Sequence, residues 1–238
     1  MLARTLIFII LIILNLAFFL LDIFLGPVEI SAKEIVNAFF MNETLAESQR
    51  MILFEFRIPK ALVAILAGSA LSVSGLQMQV IFRNPLAGPY VLGISSGASL
   101  GVAILVMGFA PVLGVLNLAG TGNWALIIAA WIGSGLVLLL VLAVSSRVKD
   151  VMTILILGIL FGGAASAIVM VLQYFSTSSL LKSFVIWTMG SLGSVTSSQL
   201  GILLPSVVVG LLLSIITVKS LNALSLGENY AKTLGVNV

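Results

Sequence analysis

RNPLAGPYVLGISSGASLG, residues 83–101, decides how the chain is to be read. Arg83 is the last charged residue before Arg147, so the stretch stands at the edge of a long uncharged region. Pro85 and Pro89 fix their own φ and carry no N–H, which prevents an ordinary helix from running straight through. Beyond them Gly93, Gly97 and Gly101 recur every fourth residue. On a helix that spacing makes one bare stripe on which another backbone can pack closely. The pattern is that of a tightly packed polytopic membrane protein with a specific turn at the membrane surface.

Composition agrees. Hydrophobic residues make up 61% of the chain, charged residues 8%, and the mean hydropathy is +1.28. A soluble domain carries about 25% charged residues, so the polar surface needed to clothe a soluble globule is missing. The net charge of +3 comes from a few lysines and arginines beside the apolar runs. Basic clusters interleaved with aromatics, which nucleic-acid binding requires, are absent. With no Cys and no His, thiol nucleophiles, disulfides, haem ligation by His and most zinc or copper sites are excluded. No cofactor and no metal site is expected.

A membrane span needs about 20 apolar residues. Outward from the hinge, the second span covers residues 61–82 and the third 90–110. The first runs over 6–25. It is read as a retained span because 22–25, Asp-Ile-Phe-Leu, is no small-residue cleavage site; a signal anchor is the alternative. Residues 26–60 hold nearly half of the charges and are expected to form an external loop with a short helix. Ser31 and Glu34 there have capping-box spacing. A loop at 111–123 leads to a fourth span at 124–144. The charged turn 145–150 follows, then a fifth span at 151–173. Residues 174–198, rich in Ser, Thr and Gly around Trp187, suit an interfacial or re-entrant helix, and a sixth span covers 200–218. The expected fold is an all-α polytopic bundle of about six spans plus that short helix.

Six spans leave both ends on one side. Placing Arg4 inside puts Arg83, Arg147, Lys149, Lys219 and Lys232 inside, with Lys33, Arg50, Arg57, Lys60 and Lys182 outside. The totals barely differ, but the short loops, which weigh most in the positive-inside rule, favour this orientation.

Residues 225–235, SLGENYAKTLG, form the second informative stretch. Ser225 reads as an N-cap with Glu228 at the third helical position. Lys232 suits the last turn and Gly235 the helix stop. Leu226, Tyr230 and Leu234 fall on one apolar stripe. So short a helix cannot stand alone; it lies on its own domain or serves as a knob for a cytoplasmic partner. Energy-converting machinery is not visible. There is no GxxxxGK[ST] loop, and no Asp, Glu, Lys, Arg or His lies inside spans two to six, which argues against an ion-coupled carrier. Asp22 reads as an interfacial cap, and the many serines as helix-packing groups.

Several stretches carry a resemblance when taken in order. They are RIPK (57–60), GSALSVSGLQMQ (68–79), RNPLAGPYVLGISSGASLG (83–101), LILG (155–158), WTMGSLGSV (187–195) and LNALSLGENYAKTLGV (221–236). Together they resemble the FecCD-type permeases of ABC importers for iron-siderophores, haem and cobalamin, over essentially the whole chain. The resemblance implies that Arg57 and Lys60 dock acidic residues of an extracytoplasmic substrate-binding protein; Lys60 stands where the family has Arg, keeping the charge without the bidentate fork. Snorkelling at the interface is the alternative for both. It implies that 221–236 is a cytoplasmic coupling segment seated in an ATPase, with Leu226, Gly227, Glu228, Ala231, Leu234 and Gly235 matching. Arg83, Asn84, Pro85, Pro89, Gly93, Gly97 and Gly101 then form a gating and packing element on the cytoplasmic side.

The implied protein is a single permease domain, 1–238, of the bacterial or archaeal cytoplasmic (inner) membrane. Its partners would be a separate cytoplasmic ATP-binding subunit, the substrate-binding protein, a second permease copy and membrane lipid, with no nucleic acid. Family members have ten spans and greater length, so the chain is expected to lack the C-terminal spans. It would not itself be an enzyme. A secondary carrier, or a truncated scaffold that does not transport, are the alternatives.

Overall fold

A long apolar run in lipid has no water to pair its backbone groups, so it must close its hydrogen bonds within itself, as a helix. The computed structural model describes residues 2–40, 46–109, 124–148 and 150–236, and every regular element among them is helical. In order these are α1 (Leu2–Phe24), α2 (Ala32–Phe40), α3 (Glu47–Met51), α4 (Ile58–Ile81), α5 (Ile94–Ala103), α6 (Trp124–Ser145), α7 (Val151–Phe175), α8 (Ser178–Met189), α9 (Ser197–Ser225) and α10 (Glu228–Thr233). Wider π-helical turns at Ile52–Arg57 and Ile104–Phe109 continue α3 into α4 and extend α5.

Five described helices are long and apolar enough to cross a membrane: Ala3–Phe24, Glu47–Ile81, Trp124–Ser145, Val151–Phe175 and Ser197–Ser225. They correspond to the expected spans one, two, four, five and six. The expected third span is shorter than the sequence suggested. A 3-10 turn, Pro89–Leu92, takes its first residues, and the helix proper is Ile94–Phe109. Proline pre-sets the φ of that turn, and Gly93 at φ 74 breaks it from α5. The expected loop 26–60 is also largely helical, since α3, the π turn and α4 run on without a break. The expected short helix within 174–198 is α8. The loop at 111–123, with Ala110 and Lys149, lies outside the described residues.

The chain packs as two units, Met1–Ala70 with Ser191–Leu212 and Leu71–Gly190 with Leu213–Val238. In the first, Ile23, Ile30, Ile35, Leu53 and Ala61 form a buried cluster under Phe19, Phe24, Ile52 and Ile58. The π turn places one extra residue in the helix, and its buried residues are Leu53 and Arg57. The capping box at the head of α2 is formed. Ser31 Oγ accepts the Glu34 N–H at 3.2 Å, and the Glu34 carboxylate accepts the Ser31 N–H at 2.9 Å. That backbone donor, followed by the Ser31 hydroxyl, holds the Glu34 carboxyl below its usual range.

The second unit has two apolar clusters. One gathers Val102, Ala103, Val106, Met107, Val169, Leu180 and Phe184, so α5 with its π turn packs on α7 and α8. The other joins Phe82, Ala87, Leu92 and Val141 at the hinge. Glycines decide how closely α5 approaches its neighbours. A Cβ at Gly97 would stand 2.6 Å from the Gly133 carbonyl oxygen and from a Val137 methyl, and one at Gly101 would run into the Ala129 carbonyl. Gly93 has left the stripe. Its would-be Cβ lies 2.7 Å from the Gly158 carbonyl and 3.0 Å from the Gly162 nitrogen, on α7 rather than α6. The stripe read as one face therefore serves two neighbours. At the head of α7, Asp150 accepts from the Thr153 N–H at 2.9 Å and its hydroxyl at 2.6 Å.

Candidate functional site

The residues singled out in the sequence gather in two places, one in each unit. In the first unit they sit at the N-terminal end of α4. Arg57 is only 6% exposed. Its guanidinium donates to the carbonyls of Ile23 (2.9 Å), Phe24 (3.3 Å) and Val28. The carbonyls of Ile23 and Phe24 belong to the end of α1, where a helix leaves its last acceptors unpaired and carries partial negative charge. Arg57 is thus spent inside the chain as a cap on α1. The sequence expectation for Arg57 is docking of a partner's carboxylate; in this structure its guanidinium is directed at three carbonyls of the chain itself. Gly26 lies flat against it, with a would-be Cβ 2.6 Å from Nη2, so any side chain at 26 would displace the guanidinium.

Lys60 is different. It is 48% exposed, and its Nζ meets the Asp22 carboxylate at 2.8 Å. Asp22, read as a cap, is in fact an ion-pair partner; a carboxylate near the C-terminal end of α1 is unfavourable to the helix dipole, and Lys60 offsets it. Residues far apart in sequence join here. The Lys60 side chain passes within 3.9 Å of the position a Cβ would take at Gly193, and Ser197 donates to Glu55 at 2.7 Å. The RIPK and GSLGSV segments therefore meet. The sequence carried one usable signal for the Asp22 pair, since Asp22 closes the first span and Lys60 opens the second, which puts both charges on one side.

In the second unit, α4 ends in a Schellman-type stop. Arg83, at φ 48, takes the left-handed position where glycine is usual, its N–H bonding Val80 and that of Asn84 bonding Gln79. Asn84 then organises the turn: its side chain accepts the Leu86 N–H at 2.9 Å and its carbonyl accepts from Ala87 at 3.0 Å. Gln79 closes it by donating to the Pro85 carbonyl at 3.0 Å. Leu86 is left exposed.

The segment after α9 differs from its expected capping. Ser225 is the last residue of α9, with its hydroxyl on the Asn222 carbonyl, and the residue heading α10 is Gly227 at φ 121. Glu228 is the first residue of α10 and pairs with Lys232 at 2.9 Å. Lys232, first by hydrogen bond and then by charge, and Arg83 by its charge, hold the Glu228 carboxyl below its ordinary range. The stop at Gly235 (φ 80) is as expected: Gly235 bonds Lys232 and Val236 bonds Ala231, a full Schellman pair. Ala231 is fully buried, while Leu226 is 68% exposed, and Tyr230 and Leu234 are exposed beside it.

Compared with known proteins, residues 10–238 match the FecCD transport family. The chain belongs to the FecCD transport family. It is 36% identical over 222 residues to the hemin transport system permease protein HmuU of Yersinia pestis, covering 90% of this chain and 63% of that protein. It is 34% identical over 192 residues to the vitamin B12 import system permease protein BtuC of Salmonella paratyphi A, covering 81% and 56%. Among solved structures, one described as a metal-chelate type ABC transporter in an inward-facing conformation superposes with a TM-score of 0.79 at 27% identity. That superposition covers 97% of this chain and 68% of the other. The chain spans 56–63% of the length of these curated FecCD-family relatives. With several apolar helices and this family, it is a multi-pass membrane protein.

Proposed function

We propose that the chain is the membrane-spanning permease of a binding-protein-dependent ABC importer for a metal chelate or corrinoid. The substrate class is a bulky metal–organic complex: ferric siderophore, haem or cobalamin. Two relatives, by name, carry hemin and vitamin B12, and ferric siderophore completes the class. The single observation that carries the reading is α10. Its position after the long apolar helix Ser197–Ser225, its exposed Leu226, Tyr230 and Leu234, and its double glycine framing make an apolar knob that no described residue covers. A separate cytoplasmic ATP-binding subunit is the proposed cover. A substrate-binding protein docks at the opposite membrane face, where Lys60 is an exposed cation and Arg57 holds the end of α1 in place. Two permease copies enclose the path, and ATP-driven rocking of the pair alternates access to it. The site is the bacterial or archaeal cytoplasmic (inner) membrane, and hydrolysis belongs to the partner.

The hinge 83–101 supports this arrangement as a packing and gating element. Its Arg83 lies within electrostatic reach of Glu228, so the turn after α4 and the coupling segment belong to one face. The test is Gly227→Trp. At φ 121 no L-residue is at ease, and a bulky one also alters the knob. Wild-type membranes are expected to yield an ATP-hydrolysing subunit on purification and to take up labelled ferric siderophore, haemin or cobalamin. Gly227→Trp is expected to lower uptake more than tenfold and release that subunit while inserting normally. Unchanged uptake and association would remove the coupling assignment.

A further inference from the structure

The Lys60–Asp22 pair has a consequence for docking. Lys60 is an exposed cation of the docking face, yet in the free chain it is already held at 2.8 Å by a carboxylate of α1. The pair joins residues 38 apart in sequence, so it is a tertiary contact rather than a chance of helical spacing. Both members are partly exposed, Asp22 at 32%, and an incoming group can reach them without unfolding anything. Three residues earlier, Arg57 fixes the end of α1 through its carbonyls, so α1 keeps its place when Lys60 lets go of Asp22.

We infer that Asp22 is a built-in competitor for the docking cation: it occupies Lys60 in the undocked chain, and a carboxylate of the substrate-binding protein displaces it. The inference rests on the docking reading given above. The exchange replaces one exposed ion pair with another: Lys60 stays paired throughout, and the Asp22 carboxylate, already partly exposed, is released to water. It scales docking affinity down to the fraction of Lys60 that is free. An exposed pair of this kind is worth a small preference, which corresponds to about a two- to sixfold weakening of docking. The arrangement favours release of the binding protein after delivery, since Asp22 recaptures Lys60.

The experiment uses the chain in lipid nanodiscs and the fluorescently labelled substrate-binding protein of the same importer. Asp22→Asn is expected to tighten docking by about two- to sixfold, chiefly by slowing dissociation. Asp22→Glu, which can still reach Lys60, is expected to dock like the wild type. Lys60→Ala is expected to weaken docking strongly, and adding Asp22→Asn to it is expected to change nothing further. Misfolding of Asp22→Asn would weaken docking rather than tighten it, so a gain cannot come from damage. If Lys60→Ala weakens docking while Asp22→Asn leaves it unchanged or weaker, the competitor is overturned and the docking face stands. If Lys60→Ala has no effect, the docking reading fails and the competitor with it.

Discussion

A methyl group at Gly97 has nowhere to go. It would stand 2.6 Å from the Gly133 carbonyl and from the Val137 side chain, and the backbone of α6 cannot yield without moving Gly101 and Gly133, which touch it reciprocally. Gly97→Ala is therefore expected to destabilise by about 1–3 kcal/mol, the range for overpacking a close interface. Gly163 on α7 meets nothing within 4 Å, so Gly163→Ala is expected to be neutral or slightly stabilising, by up to about 1 kcal/mol from helix propensity. Thermal unfolding in one detergent, read by near-UV circular dichroism, checks both; equal melting temperatures for the two variants would refute the glycine packing. At this scale the sequence showed where backbones meet, since the four-residue spacing of glycine has a direct steric meaning. It did not show that Gly93 turns to α7, because a positive φ depends on the 3-10 turn before it. The carbonyl contacts of Arg57 were not legible for a related reason. A cation at the edge of a span looks the same in sequence whether it faces water or caps another helix, and only the carbonyls of residues 23, 24 and 28 distinguish the two.

At the scale of an element, α10 is held by charge at its head and by glycine geometry at both ends. The Glu228 carboxyl is held below its ordinary value of 4.5 by Lys232 and Arg83. A depressed carboxylate contributes stability above 4.5 and loses it as the pH falls through its folded value. Below about pH 4.5 the amides of residues 228–234 are accordingly expected to exchange in excess of their intrinsic rates, themselves slowed by acid, scaled by the protection measured at neutral pH. Glu228→Gln is expected to remove that excess. An excess unchanged in Glu228→Gln would show that the pair does not hold the helix. The end of α10 was legible, because Gly235 followed a Lys-bearing turn. Its beginning was not. Ser225 has the chemistry of an N-cap, but the apolar run before it keeps α9 helical, its hydroxyl folds back on Asn222, and Gly227 takes the break.

For the molecule as a whole, hydropathy placed the cores of the long helices, because lipid leaves an apolar run no choice but to pair its own backbone; it missed the helical residues before 61 in Glu47–Ile81 and after 218 in Ser197–Ser225. Ile94–Phe109 is the weak point of that count. The 10 residues of α5 and the 6 of the π turn rise about 24 Å, short of the roughly 30 Å hydrocarbon core. Whether this helix crosses decides the side of everything after it. A crossing returns the turn after α6 to the side of the hinge, and re-entry would put the two on opposite sides. The close glycine packing of α5 on α6 favours crossing, since antiparallel neighbours joined in sequence pack along their lengths. The chain has no native cysteine, so Asn84→Cys and Ser146→Cys can be read singly in sealed membrane vesicles with an impermeant maleimide. Both are expected to label from the cytoplasmic side, together with Glu228→Cys, and Ser176→Cys from the other. Labelling of positions 84 and 146 from opposite sides would make the α5 segment re-entrant and reverse the orientation of α6 and α7.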